Sequence, residues 1–168
     1  MFLSTMIFNQ LFDKTSSTYT YIVSSGKGRE ALIIDPVIEN TNDYLKILKK
    51  LDLKLVKVID THIHADHISG LNELHKQTSC SRIMGENSES EVIDISVSDN
   101  EKIKIENIEL ISIYTPGHTK CSYSFMMNDC VFTGDTLLIN GSGRTDFQGG
   151  NAIDQYNSIF HRLLKLPE

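Results

Sequence analysis

The chain has 168 residues, 40% of them apolar and 23% charged, which suits one domain with a sizeable core. Its 16 basic and 22 acidic side chains leave a net charge of −6, with no dense basic block anywhere. A phosphate backbone would be repelled, so nucleic acid is excluded as an expected partner, although some metal-dependent hydrolases with His-rich loops cleave it.

Residues 1–12 are apolar in patches but carry neither a basic leader nor a long apolar core, so no signal peptide and no membrane span is expected. Strands are predicted over 7–12, 18–23 and 30–35, the last stopping at Pro36, with Gly26-Lys27-Gly28 as a hairpin turn. Asn40, Thr41 or Asn42 can cap a helix whose apolar face is Tyr44, Leu45, Leu48 and Leu51. A short buried strand over 55–60 follows, then a helix marked by Ile68, Leu71 and Leu74. The middle returns to β structure at 92–97, at Ile103 and Ile105 alternating with Lys102 and Lys104, and at 108–114, 122–127 and 130–133. Few breakers interrupt that run, which predicts a meander within one sheet. Ile153, Tyr156, Phe160, Leu163 and Leu164 recur at helical spacing, giving an amphipathic helix over 152–166 whose buried stripe includes Phe160 and Leu164. No repeat or linker divides the chain, so residues 1–168 read as a single domain of sheets covered by helices. Cys80, Cys121 and Cys130 are odd in number and lack CxxC spacing. They indicate a reducing compartment, and a cytoplasmic location is the default.

The densest chemistry is His62-Ile63-His64-Ala65-Asp66-His67, between the 55–60 strand and the helix that follows. On extended backbone His62 and His64 point the same way, and Asp66 and His67 follow where the pattern turns helical. Open α/β sheets bind ligands at such strand ends. A solvated loop or an adventitious chelator is the bland reading; the concentration of donors favours a metalloenzyme. Two further strand ends carry donors. Pro116-Gly117 can aim His118 in a set direction, and Gly134 precedes Asp135. His75 and His161 sit on helices and read as partly exposed side chains.

Together, residues 61–67, Gly117-His118 and Gly134-Asp135 resemble the metallo-β-lactamase superfamily pattern of Thr-His-x-His-x-Asp-His, a Gly-His turn and a Gly-Asp. Within it the chain is most similar to the persulfide dioxygenases related to the ethylmalonic encephalopathy protein. Residues 10–13, 16–21, 61–70, 115–119, 132–138 and above all 141–149, Gly-Ser-Gly-Arg-Thr-Asp-Phe-Gln-Gly, carry that likeness. The resemblance implies an αββα sandwich of two mixed β-sheets flanked by helices. It implies one Fe(II) per chain held by His62, His118 and Asp135, two imidazoles and a carboxylate being the ligand set of non-haem iron oxygenases. His64, Asp66 and His67 then act in catalysis without touching iron, orienting ligands or waters by hydrogen bonds. Arg144 is the candidate substrate contact, holding an anionic group, with an ion pair to Asp146 as the competing role. The implied reaction is O2-dependent oxidation of glutathione persulfide to sulfite and glutathione.

The alternative within the superfamily is glyoxalase II, which hydrolyses glutathione thioesters with two metal ions. Two zinc ions would then take His64 with His62 and His118 on the first, Asp66 and His67 on the second, and Asp135 between them. Its usual Gly-Arg stretch lacks the Thr-Asp-Phe-Gln found at 145–148. Relatives also place a final His on a strand beyond the last helix, whereas this chain stops at Pro167-Glu168 and offers only His161 after Asp135. A C-terminally truncated form is therefore an expectation, as is a metal-binding chain without turnover. The relatives are often dimers, so a homodimer is a further expectation. Ser142 stands where many relatives have Cys, and Cys121 reads as a small buried structural residue.

Overall fold

The computed structural model describes residues 6–88 and 90–167; the first five residues of the apolar N-terminal stretch and Glu168 of the final pair lie outside them. Three strands open the chain, β1 (Ile7–Asp13), β2 (Thr18–Ser24) and β3 (Glu30–Ile34), paired antiparallel in sequence order. Helix α1 (Thr41–Lys50) leads to β4 (Lys54–Ile59), parallel to β3. Helix α2 (Leu71–Thr78) leads to β5 (Ser81–Gly85), parallel to β4, and β6 (Ile95–Val97) adds in parallel at the edge. The first sheet is thus mixed, in the order β1-β2-β3-β4-β5-β6. A second sheet, wholly antiparallel, is the meander β7 (Lys102–Ile105), β8 (Ile108–Tyr114), β9 (Tyr123–Met127) and β10 (Cys130–Phe132). Helix α3 (Ala152–Asn157) follows, continuing into a π turn (Ser158–Arg162) and a tighter 3-10 turn (Leu163–Lys165). The architecture is the αββα sandwich.

Strand β3 shows why the sequence folds this way. Both of its faces are covered, so a continuous apolar run replaces alternation. Leu32 and Ile34 join the core between the sheets with Ile59, Ile83, Leu110 and Phe125. Ala31 and Ile33 join a second core under the helices with Tyr44, Leu48 and Leu74. Strand β7 covers only one face, and alternates accordingly: Ile103 and Ile105 are buried, while Lys102 and Lys104 reach Glu109 at 2.8 and 2.9 Å.

Two sequence expectations are corrected. The β structure after α2 is not one meander: β6 begins only at Ile95 and belongs to the first sheet, beside β5, which the pattern does not announce. Asp94 locks that junction, taking Arg82 in a two-pronged ion pair at 2.9 and 3.1 Å. The apolar stripe of the last helix is not buried. Ile153, Tyr156, Phe160 and Leu164 are between 46% and 72% exposed, and of the expected stripe only Leu163 is covered. The helix docks through its polar side instead. Gln155 Nε2 donates to the Thr136 carbonyl and Ser158 Oγ to that of Pro116, both at 2.6 Å. Buried donors left unpaired would cost about 1–3 kcal/mol each, so these bonds fix the orientation against the amphipathic pattern. Asn151 caps the first turn by accepting from the N–H groups of Ile153 and Asp154. Among the described residues no helix is long and apolar enough to cross a membrane.

Candidate metal centre

Four strand ends converge at one edge of the sandwich. After β4 come Asp60, Thr61 and His62; after β8, the turn bearing His118; after β10, a 3-10 turn (Gly134–Thr136) bearing Asp135; after β3, Asp35. The Tyr123 N–H donates to the Thr61 carbonyl at 2.9 Å, joining the two sheets here. Glycine is required at two of these turns. Gly134 has φ +48°, and a Cβ there would overlap the Thr61 hydroxyl. Gly117 has φ +145°, and a Cβ would overlap the backbone of Gln155 in α3.

His62, His118 and Asp135 each present a donor atom, all within 4.8 Å of one another. His62 is 1% exposed. Burial, reinforced by the neighbouring His64, His118 and His67, holds its pKa well below the ordinary histidine value, so the ring is neutral. His118 donates from Nδ1 to the Arg144 carbonyl at 2.8 Å, and its Nε2 stands 3.4 Å from Asp135 Oδ2. Burial raises the Asp135 pKa against the pull of His118 and His64. Two imidazoles whose Nδ1 atoms are anchored outside the trio, facing a carboxylate, fit a divalent transition-metal ion.

His64, Asp66 and His67 form a second group, again within 4.8 Å. His64 Nε2 lies 3.2 Å from Asp35 Oδ1 and its Nδ1 3.8 Å from Asp66 Oδ1. Burial works against charge on this ring, yet the bond to Asp35 and the charges of Asp35, Asp60 and Asp66 raise its pKa to about 9. His67 Nδ1 meets Asp66 Oδ2 at 3.1 Å and the Thr18 hydroxyl at 3.2 Å. A carboxylate only accepts, so Nδ1 carries the hydrogen, and His67 Nε2 is left buried without a protein partner. Thr18, from the β1–β2 hairpin, also donates to Asp66 Oδ2 at 3.1 Å. Asp60, fully buried behind these groups, is pushed up to about 7 by desolvation, against the pull of His64 and with the push of Asp35.

A cavity of about 500 Å³ opens onto both groups, with Thr18, Tyr19, Tyr21, His64, Asp66 and Asp135 in its wall. Arg144 is not in that wall. Its guanidinium is exposed and engaged by Asp146 at 2.8 and 3.0 Å, 5.7 Å from the Phe147 ring; its carbonyl is what reaches the site, through His118. His75 Nδ1 donates to the Cys80 carbonyl and His161 is exposed on the last helix, and neither belongs to the donor groups. Sequence reading missed Asp35, Thr61 as a hydrogen-bonding residue, and Thr18. For Asp35 a signal existed, since it ends a strand before Pro36 as the other site residues end theirs.

The metallo-beta-lactamase superfamily model matches residues 13–103 and 88–165. The mitochondrial persulfide dioxygenase ETHE1 of Mus musculus is 37% identical over 96% of this chain, which spans 65% of that protein's length. The crystal structure of ETHE1 from Myxococcus xanthus superposes with a TM-score of 0.94 at 42% identity, covering 97% of this chain and 72% of that one. A hydroxyacylglutathione hydrolase of Dictyostelium discoideum is 31% identical over 89% of this chain and 58% of its own. With its three strand-end motifs converging as described, the chain belongs to the metallo-beta-lactamase superfamily and, within it, to the ETHE1-like members.

Proposed function

We propose that residues 1–168 act as one domain of a persulfide dioxygenase, oxidising glutathione persulfide with O2 at a single Fe(II). The observation that carries this reading is the group of His62, His118 and Asp135, two imidazoles and one carboxylate, beside a cavity. The ETHE1 relatives support it. The balanced reaction joins the persulfide, O2 and water to give the thiol, sulfite and two protons. The outer sulfur loses four electrons, O2 gains them, and the sulfur–sulfur bond breaks.

When bound, the ion supplies a site where the persulfide anion and O2 meet; the chain's residues do the rest. His62, His118 and Asp135 hold it and leave further positions open. His67 Nε2, left without a protein partner, hydrogen-bonds water or the substrate, and Thr18 and Asp66 keep that ring oriented. His64 is held by Asp35 and stays within reach of Asp66. Arg144 takes a carboxylate of the glutathione portion by exchanging Asp146 for it. A cytoplasmic setting is supported by three free thiols, Cys80, Cys121 and Cys130. Homodimer formation is supported by the exposed apolar stripe of α3.

One observation favours a second reading. His64, Asp66 and His67 also lie within reach of one ion, which a two-zinc thioester hydrolase of the glyoxalase II type would use. Metal content and oxygen uptake separate the two. About one iron per chain, with oxygen consumed on addition of glutathione persulfide, supports the dioxygenase. About two zinc ions, no oxygen uptake and hydrolysis of lactoylglutathione would overturn it.

A further inference from the structure

Asp35 lies outside every motif of the sequence, yet its carboxylate stands behind both groups of donors. It is 4% exposed, and its backbone takes φ +51°, a left-handed conformation that Asp tolerates better than most residues. Backbone and side chain both hold it there, and His64 Nε2 also faces Oδ1 at 3.2 Å. The Asp35 N–H donates to the Ile59 carbonyl at 2.8 Å, its carbonyl accepts from the Thr20 hydroxyl at 2.7 Å, and Oδ1 accepts from the Thr61 N–H at 2.7 Å. The other carboxylate oxygen, Oδ2, accepts from the Thr61 hydroxyl at 3.0 Å.

We propose that Asp35 is a positioning residue that, through the Thr61 hydroxyl, fixes the tautomer and orientation of His62 and thereby sets the metal affinity of the centre. The number of hydrogens available sets the direction of each bond. A hydroxyl has one, and that of Thr61 goes to Asp35. The same oxygen lies 2.9 Å from His62 Nδ1, so it can only accept there, and Nδ1 must carry the ring hydrogen. Nε2 is then the lone pair free for a metal ion.

His118 reaches the same state by another route. Its Nδ1 faces the Arg144 carbonyl, which can never donate, so its tautomer is fixed by one bond. Thr61 can donate or accept, so the tautomer of His62 depends on a carboxylate one step further back. Without Asp35, the Thr61 hydrogen turns toward His62 Nδ1, and the ring hydrogen moves to Nε2, where it blocks ligation. Gly134 packs against the Thr61 side chain, where any Cβ would overlap the hydroxyl.

This inference rests on the reading that His62 is a ligand, and its test keeps the two apart. The metal-free full chain is titrated with Zn(II) against a chromophoric chelator, and the imidazole nitrogens are followed by NMR after ¹⁵N-histidine labelling. Asp35→Asn and Thr61→Val should each weaken binding by about 10- to 100-fold, the usual range when a group supporting a ligand is lost. Thr61→Ser, which keeps the hydroxyl, should bind like the parent chain. The His62 signal should report hydrogen on Nδ1 in the parent and in Thr61→Ser, and a shift toward Nε2 in Asp35→Asn. A folded Asp35→Asn chain with parental affinity and tautomer would overturn the proposal. If Asp35→Asn does not fold, Thr61→Val decides by itself, since it leaves the carboxylate in place. Undiminished binding by His62→Ala would instead overturn the ligand assignment.

Discussion

Two groups of donors sit side by side at the sandwich edge, and the fold treats them differently. His62, His118 and Asp135 come from three strand ends, and both imidazoles have their Nδ1 atoms tied to groups outside the trio, at Thr61 and Arg144. His64, Asp66 and His67 come from one loop. Asp66 and His67 bond to each other and to Thr18, and the pair leans on a hairpin 48 residues away. Donor density in the sequence therefore does not measure what an ion would find. The first group is spread over 74 positions, from 62 to 135, yet the framework aims all of it inward; the second is compact in sequence and partly satisfied by its own neighbours.

Substitution should separate the two groups most clearly. His118→Ala should reduce metal affinity more than hundredfold and abolish turnover, because it removes a donor that no nearby residue replaces. His67→Ala should keep most of the metal but lower kcat by about 10²-fold, the lower end for loss of a group that handles protons. Metal analysis and steady-state oxygen uptake on both variants check this. Equal metal loss in the two would erase the distinction and favour a two-ion centre.

How much of this was legible in the sequence follows from how local each feature is. The three strand-end motifs are each a few residues long and speak for themselves, so the trio His62, His118 and Asp135 can be picked out without coordinates. Strand β5 could not: Ser81–Gly85 has no alternation, and what makes it a strand is parallel pairing to β4 across a helix. The orientation of α3 failed for the opposite reason. Its apolar periodicity is clear, but Gln155 and Ser158 find buried carbonyls on the second sheet's loops, and no periodicity encodes those. Asp35 was marked only by its place at a strand end, and Thr18 by nothing local, because their partners lie 26 and 48 residues away although close in space.

A smaller effect is expected on the substrate side. The Arg144 backbone serves the first group, while its side chain is engaged with Asp146. Arg144→Ala keeps the carbonyl and removes the guanidinium. Metal content should not change, and the KM for glutathione persulfide should rise about tenfold with kcat little altered, as expected when one charged substrate contact is lost. An unchanged KM would mean the guanidinium serves only its ion pair with Asp146.

The smallest effect lies away from both groups and acts as their control. Arg82 bonds to Asp94 and holds its carboxyl far below the usual carboxylate range, with a backbone bond from Arg82 adding to the shift. The folded pKa is the lower one. Stability from this pair is therefore present above the unfolded Asp value near 4, and is lost as pH falls from there toward the folded pKa. Both partners are partly exposed, with 18% and 34% of their side chains accessible, so about 1 kcal/mol or less is at stake. Asp94→Asn should lower the melting temperature slightly at pH 7, flatten the decline in stability on acidification below pH 4, and leave metal binding untouched. Chemical denaturation at pH 7 and pH 3 measures the difference. A loss of metal in that variant would mean that the β5–β6 junction supports the centre, and that the two donor groups are not the independent units their hydrogen bonds describe.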